Sequence, residues 1–372
     1  MITTHRIYHG DATQMAAIGD GSIDLVVTSP PYPMIAMWDQ VFAVGDPRIG
    51  HVLAVGDGST AFALMHGCLD AVWAETFRVL RPGGIACINI GDATRTMQGD
   101  FRLYPNHARV LSALMAVGFT PLPDILWRKQ TNSPTKFMGS GVLPAGAYVT
   151  LEHEYILIVR KGPKRVFVSP EDRRRRRESS FFWEERNHWF SDVWMDVKGT
   201  TQNLADREAR QRSAAYPLEI PYRLISMFSV KGDVVLDPFL GTGTTSIAAL
   251  TAARNSIGYE LDEALCRIGE ASILASAPQA RACVEGRVRA HLDFVSNRTS
   301  AGKQFRHRNR HYGFAVVAES ESDLVLDLPS SVSRAGPGLI EVSYAEDLGG
   351  VSDGQTSPHE AEKPATGQQT FL

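Results

Sequence analysis

The chain has 372 residues, 44% apolar and 21% charged, enough to bury the core of one large α/β domain with an added module. No apolar run approaches the length that spans a bilayer, and the start MITTHRIYHG lacks the basic-then-apolar pattern of a secretory signal, so the expected location is cytoplasmic. The formal net charge of −3 hides a polarity: residues 317–372 carry ten acids against Arg334 and Lys363, whereas residues 281–312 hold eight Lys/Arg against Glu285 and Asp293. Cys68, Cys87, Cys266 and Cys283 are far apart and show no CxxC spacing, so neither a zinc site nor a disulfide framework is expected, and no metal is assigned.

In chain order, a short strand is expected at His5–His9, a helix around Ala12–Ile18, and a compact apolar strand at Ile23–Thr28. Runs of this kind, apolar on both faces, suit central parallel strands. Phe62–Leu80 has helical spacing and stops at Arg81-Pro82-Gly83-Gly84; Ile85–Ile90 follows as a strand, Asn106–Val117 as a helix, and Ile125–Trp127 and Glu154–Val159 as strands. The alternation fails from Gly162 to about Ser213, a polar stretch with twelve Lys/Arg, nine acids and Trp183, Trp189 and Trp194, read as an insertion with the tryptophans as its core. It resumes with a helix at Pro217–Phe228, a strand at Val234–Asp237, a helix after Gly243 and a strand at Ser256–Glu260. Strands alternating with helices imply right-handed crossovers in a mainly parallel, doubly wound sheet. After about Val317 the composition predicts a mostly disordered tail, with Leu324–Leu328 and Leu339–Val342 as isolated strands or a docking segment.

Two clusters carry chemistry. In VVLDPFLGTGTT (Val234–Thr245) a strand runs into an acid, a glycine turn and a helix, which is how a backbone approaches a nucleotide-like ligand. No GKS or GKT ending follows, which disfavours a phosphate-cradling loop. Glu260 ends the next strand 23 residues after Asp237, near the interval at which an acid grips ribose hydroxyls in dinucleotide folds. In VVTSPPY (Val26–Tyr32) two prolines stiffen a strand exit and leave carbonyls without local N–H partners. A flat, amino-bearing ring can stack on Tyr32 while its NH2 donates to Ser29 and to the carbonyl near Pro30. A tight turn and a rigid strand exit are the plainer readings of the two clusters.

Together, TSPPY and DPFLGTGTT resemble the DNA amino-methyltransferases that modify cytosine N4 or adenine N6, and their order resembles the β-class circular arrangement. HGDA (His9–Ala12), LRPGGIACINIGD (Leu80–Asp92), EHEYILIVRKG (Glu152–Gly162) and AYPLEIPYRLI (Ala215–Ile225) extend the resemblance over about residues 5 to 290. Tyr216 departs from it, since many members carry lysine there. The resemblance implies a seven-stranded, circularly permuted methyltransferase sheet with an inserted target-recognition module. Its parts would be a catalytic half at 1–162, the insertion at 163–213, a cofactor half at 214–295, a basic extension at 296–316 and the acidic tail at 317–372.

It also implies S-adenosyl-L-methionine as cofactor and double-stranded DNA as partner, with a cognate restriction endonuclease encoded nearby and a homodimer as further expectations. By motif position Ser29, Pro30, Pro31 and Tyr32 are catalytic. Asp237, Pro238, Phe239, Gly241, Gly243, Thr244 and Pro217 surround the cofactor, Glu260 holds its ribose, and Asp11 faces its adenine or caps an Asx turn. Arg173, Arg174, Arg175, Arg176 and Arg177, with Arg306, Arg308 and Arg310, are the expected phosphate contacts, or else a solvated surface. Ser before Pro-Pro-Tyr favours cytosine N4, with adenine N6 next. An RNA or protein amino-methyltransferase and an inactive DNA-binding module are the remaining alternatives.

Overall fold

The computed structural model describes residues 1–129, 138–139, 142–199 and 216–345. The first half contains β1 (Ile2–His9), β2 (Ile23–Thr28), α1 (Asp39–Gly45), α2 (Pro47–Ala54), α3 (Gly58–Val79), β3 (Leu80–Ile90), the hairpin β4 (Ala93–Met97) and β5 (Asp100–Tyr104), α4 (Asn106–Ala116), β6 (Phe119–Pro121), β7 (Ile125–Arg128), β8 (Met138–Gly139) and β9 (Ala147–Tyr148). The remainder contains β10 (His153–Lys161), α5 (Pro170–Glu178), α6 (Trp183–Trp189), β11 (Val193–Trp194), α7 (Glu219–Phe228), β12 (Val234–Asp237), α8 (Thr244–Thr251), β13 (Asn255–Glu260), α9 (Glu263–Leu274), α10 (Ala277–Ser300), the short pair β14 (His307–Arg308) and β15 (Ala315–Val316), β16 (Leu328–Gly336) and β17 (Leu339–Ala345). Several helix starts are written in the sequence. Asp57, Ser169 and Asp262 each accept a backbone N–H in the first turn of α3, α5 and α9.

One sheet organises the molecule, in the order β11-β7-β10-β3-β2-β12-β13-β1-β17-β16, with β6 added beside β10. The five strands from β3 to β1 are parallel; β10 and β17 flank them antiparallel. The seven expected strands are the span from β7 to β1, and the described sheet is wider because β11 extends one margin and the β16–β17 hairpin the other. α1–α4 pack one face, with Phe42, Ile49, Met65, Trp73 and Leu114 in one cluster with Val26 and Ile88. α6, α7 and α8 cover the other, with Trp189 and Trp194 against Trp127, Leu224 and Val235.

Three expectations need correction. Ala12–Ile18 is a series of turns, because its backbone is bonded elsewhere: Met15 N–H donates to Glu75, and the carbonyls of Met15 and Ile18 accept from Arg78, both at 3.0 Å. The proposed boundary at 295/296 falls inside α10, which runs to Ser300, and the described part of the insertion is built into the main sheet through β11. Finally, the tail read as mostly disordered contributes β16 and β17 to the sheet: Leu339–Val342 is a strand as expected, though paired with β1 rather than isolated, while 324–327 is not in a strand. Ile340, Val342 and Tyr344 alternate inward to complete the core beside β1, and the Tyr344 hydroxyl bonds Thr3 and the Leu250 carbonyl. Frequent Ser, Gly and Pro in this stretch concealed the period-2 pattern.

Candidate active site

The carboxyl ends of β1, β2, β3, β12 and β13 meet the amino end of antiparallel β10 around a cavity of about 1060 Å³. This is the region in which open α/β sheets hold their ligands. The volume lies at the upper end of the roughly 300–1,000 Å³ usual for small-molecule sites, room for more than one ligand.

Asp237, at the end of β12, ties the two sequence clusters together. Its carboxylate accepts from Thr28 Oγ1 and Thr245 Oγ1, each at 2.6 Å, and from the Phe239 N–H at 3.0 Å. Burial pushes this carboxyl above its usual range, opposed by those three hydrogen bonds. Thr245 has one proton and gives it to Asp237, so the Tyr216 hydroxyl, 2.6 Å away, donates to Thr245. Tyr216, the departure from the family pattern, therefore belongs to the same buried chain of hydroxyls.

The loop leaving β2 is equally constrained. Tyr32 Oη lies 3.1 Å from Ser29 Oγ, accepts from Asn89 Nδ2 at 2.8 Å and donates to Glu154 Oε2 at 2.9 Å. Glu154 also accepts from Asn89 at 2.7 Å and from Lys129 Nζ at 2.9 Å. Burial, followed by the Glu154 charge, raises the Tyr32 phenol well above its ordinary value, so it keeps its proton. Gly91 lets the backbone pass close beside this ring, since a Cβ there would sit 3.0 Å from Tyr32 Cε2 and 3.3 Å from Glu154 Cγ and push on both. Farther along, Asn106 Nδ2 donates to the carbonyls of Pro33 and Gly91, while its Oδ1 accepts from His66 Nε2 at 3.0 Å. Burial lowers His66 to about 4, so its ring is neutral near pH 7. No described residue donates to the carbonyl of Pro30.

On the opposite wall, Glu260 accepts the Gly241 N–H at 2.8 Å and the Asp262 N–H at 2.9 Å, which aims the end of β13 into the cavity. Burial raises its carboxyl. Phe239 lines the same wall and packs edge-on against Trp73.

The chain as a whole is similar to known proteins. The DNA methylase family matches residues 23–271. The chain is 49% identical over 347 residues to Type II methyltransferase M.MthZI of Methanothermobacter thermautotrophicus, covering 93% of this chain and 96% of that one. It belongs to the N4/N6 class of DNA amino-methyltransferases. The methylase is also 50% identical over 282 residues to M.MjaI of Methanocaldococcus jannaschii, covering 73% of this chain and 91% of the relative. Among solved structures, a Thermus thermophilus protein in complex with S-adenosyl-L-methionine aligns with a TM-score of 0.58 at 31% identity, over 74% of this chain and 95% of that one.

Of the residues singled out from sequence, Asp11, Ser29, Pro30, Pro31, Tyr32, Asp237, Pro238, Phe239, Gly241, Thr244 and Glu260 all line the methylase cavity. Asp11 also forms the Asx turn, accepting the Thr13 N–H at 2.8 Å. Gly243 and Pro217 do not line it. Gly243 starts α8 at φ 86°, where a Cβ would press on Ile273 at 3.2 Å, and buried Pro217 opens the turn into α7.

The arginines lie elsewhere. Arg165 bonds Asp233 at 2.5 Å at the amino end of β12, and both Arg165 and Arg176 stack on Phe167, at 4.5 and 5.0 Å. Four residues of strand, about 13 Å at 3.3 Å each, separate that end from Asp237. Arg173, Arg174, Arg175 and Arg177 share α5 with Arg176, and Arg175 and Arg177 pair with Glu171 and Asp323. Arg310 also pairs with Asp323, Arg308 bonds the Gly313 carbonyl, and Arg306 is exposed; none of the eight lines the cavity. Instead, Lys129 and Glu152 stand at the cavity wall. Asn89, Lys129 and Glu154 were missed from sequence. Their signal was faint: one amide inside the apolar run IACINI, and one acid opening the strand EYILIV.

Proposed function

We propose that the methylase transfers a methyl group to the exocyclic N4 of a cytosine flipped out of double-stranded DNA, as the modification enzyme of a Type II restriction system. The observation that carries this reading is the Thr28–Asp237 bond, which sets the serine–proline–proline–tyrosine corner and the glycine turn against one cavity. The similarity to two Type II methyltransferases supports the restriction role, with a cognate endonuclease encoded nearby.

S-adenosyl-L-methionine is the methyl donor and supplies a methyl group on a positively charged sulfonium. The cavity fits it chemically. Glu260 keeps lone pairs beyond its two backbone bonds for ribose hydroxyls, Phe239 offers an aromatic face, and Gly241 and Thr244 bring backbone at the start of α8 to the wall. Asp11 stands at the same wall for a donor such as an adenine amino group.

An exocyclic amine is a poor nucleophile because its lone pair is delocalised into the ring. Ser29 Oγ and the Pro30 carbonyl each accept one of its N–H bonds, which favours a pyramidal nitrogen with its lone pair directed away from both. Alignment of this kind contributes up to about 7–11 kcal/mol in favourable cases. Extruding the base costs a few kcal/mol. The ring of Tyr32 and the cation of Lys129 help to offset that cost at the cavity.

Incubation of the purified protein with tritiated cofactor and duplex DNA, followed by nucleoside analysis, tests the reading. N4-methylcytosine is expected, formed much more slowly by Ser29→Ala. N6-methyladenine as the product would overturn the cytosine assignment, and undiminished transfer by Ser29→Ala would overturn the site.

A further inference from the structure

Proton bookkeeping around Tyr32 gives a direction to each hydrogen bond. Tyr32 has a single proton, and the Glu154 carboxylate, which only accepts, takes it at 2.9 Å. Asn89 Nδ2 can only donate, so its bond to Tyr32 occupies one lone pair of the phenol oxygen. Ser29, 3.1 Å away, must therefore donate to the phenol as well. Its hydroxyl proton then points at Tyr32, and its lone pairs are left for the cavity that Ser29 lines. An acceptor is what an amino substrate requires.

We propose that Glu154 is a positioning residue for methyl transfer: held by Lys129 and Asn89, it acts through Tyr32 to fix the Ser29 hydroxyl as an acceptor for the substrate amine. This rests on the amino-transfer reading above and deepens it. The network is buried at its centre, where Asn89 is 1% exposed and Glu154 9%, and the half-exposed Lys129 ammonium holds the outer carboxylate oxygen at 2.9 Å. The inner oxygen is thereby committed to Asn89 and Tyr32.

Glu154→Gln reverses the relay with almost no change in shape. The Lys129 ammonium attracts the amide oxygen and repels the NH2, so the NH2 turns inward, where it donates to Tyr32 and opposes the Asn89 NH2, which loses the acceptor it had in Glu154. The phenol proton must then swing to Ser29, and the Ser29 proton turns into the cavity, facing the N–H groups it should accept.

The experiment is a double-mutant cycle with Glu154→Gln, Ser29→Ala and the pair, measured as single-turnover methylation at saturating DNA and cofactor, with cofactor affinity by calorimetry as the check on folding. Glu154→Gln should slow transfer roughly ten- to a hundredfold, the effect of losing one charge-assisted hydrogen bond, with cofactor affinity changed less than about twofold. In the Ser29→Ala background it should cost nothing further, because no hydroxyl remains to be misdirected. Additive losses, or a Glu154→Gln enzyme with undiminished rate, would overturn the role of Glu154 while leaving the methylation reading intact. A wild-type protein that transfers no methyl group to any DNA amine would instead sink that reading itself.

Discussion

Thr28→Val is the most direct perturbation of the join between the two halves of the site. The side chain is buried, nearly isosteric with valine, and loses only the hydroxyl that donates to Asp237 at 2.6 Å. A bond to a buried carboxylate contributes about 1.5–3 kcal/mol. The oxygen it leaves still accepts the Phe239 N–H, which places the cost near the lower end, about 2 kcal/mol. For a chain of this length the unfolding entropy is about 0.8 kcal/mol per kelvin, so Tm should fall by about 2–3 °C. Activity should suffer more than stability, because Ser29 follows Thr28 directly and misplacement of reacting groups by about 1 Å can cost a hundredfold. Scanning calorimetry and single-turnover methylation measure the two effects. Thr251→Val is the control: its hydroxyl is equally buried but caps only the Ile247 carbonyl within α8, so it should lower Tm without slowing transfer. Equal losses of rate in both variants, or no loss in Thr28→Val, would refute the alignment argument.

Four further outcomes follow from the same coordinates. His5 is fully buried between Thr3 and Ser256, and burial lowers it from its ordinary 6.5 to about 3. Between those values the unfolded chain binds the extra proton, so stability is complete above pH 6.5 and declines as pH falls toward 3. Between pH 6.5 and 5 urea denaturation should show wild type losing about 2 kcal/mol that His5→Gln does not lose. Val342→Asp places a charge in the core beside β1 and should yield insoluble protein, whereas a disordered tail would tolerate it; the soluble fraction on expression decides. Arg174→Ala with Arg176→Ala should leave the KM for DNA within about twofold, since neither side chain lines the cavity, Arg174 facing Glu178 and Arg176 lying on Phe167. Glu260→Gln should raise the cofactor Kd at least about tenfold by calorimetry, because an amide NH2 must face one of the two backbone donors now bonded to the carboxylate.

Much of the central sheet was legible because apolar runs such as IDLVVT are buried on both faces and admit few other uses. The cavity residues were legible because proline and glycine at fixed positions constrain the backbone itself. What escaped were features whose signal lies in a distant partner. The failed helix at Ala12–Ile18 is explained by Arg78 and Glu75, about sixty positions away, capturing its polar groups. The β16–β17 hairpin looked like a tail rich in Ser, Gly and Pro because only alternate residues of β17 face inward, and the partner of β17, β1, is the first strand of the chain. The arginine run shows the opposite limit: a conspicuous local charge says nothing about which end of the sheet will carry it, and α5 lies away from the cavity.

The order of the halves along the chain is immaterial to the chemistry, and the register shows why. β2 and β12 are parallel neighbours with Leu236 opposite Val26, so the residues that follow, Asp237 and the Thr28–Ser29 pair, emerge at the same end of adjacent strands. Strands in a sheet lie about 4.8 Å apart, and that spacing brings Asp237 within 2.6 Å of a hydroxyl 209 residues earlier. Either half can precede the other provided both strands keep this direction and register. A one-residue slip of β12 would turn Asp237 to the opposite face of the sheet, separating the serine corner from the glycine turn although every motif remained intact in the sequence. The functional unit is therefore the β2–β12 pairing, with the motifs as its two ends.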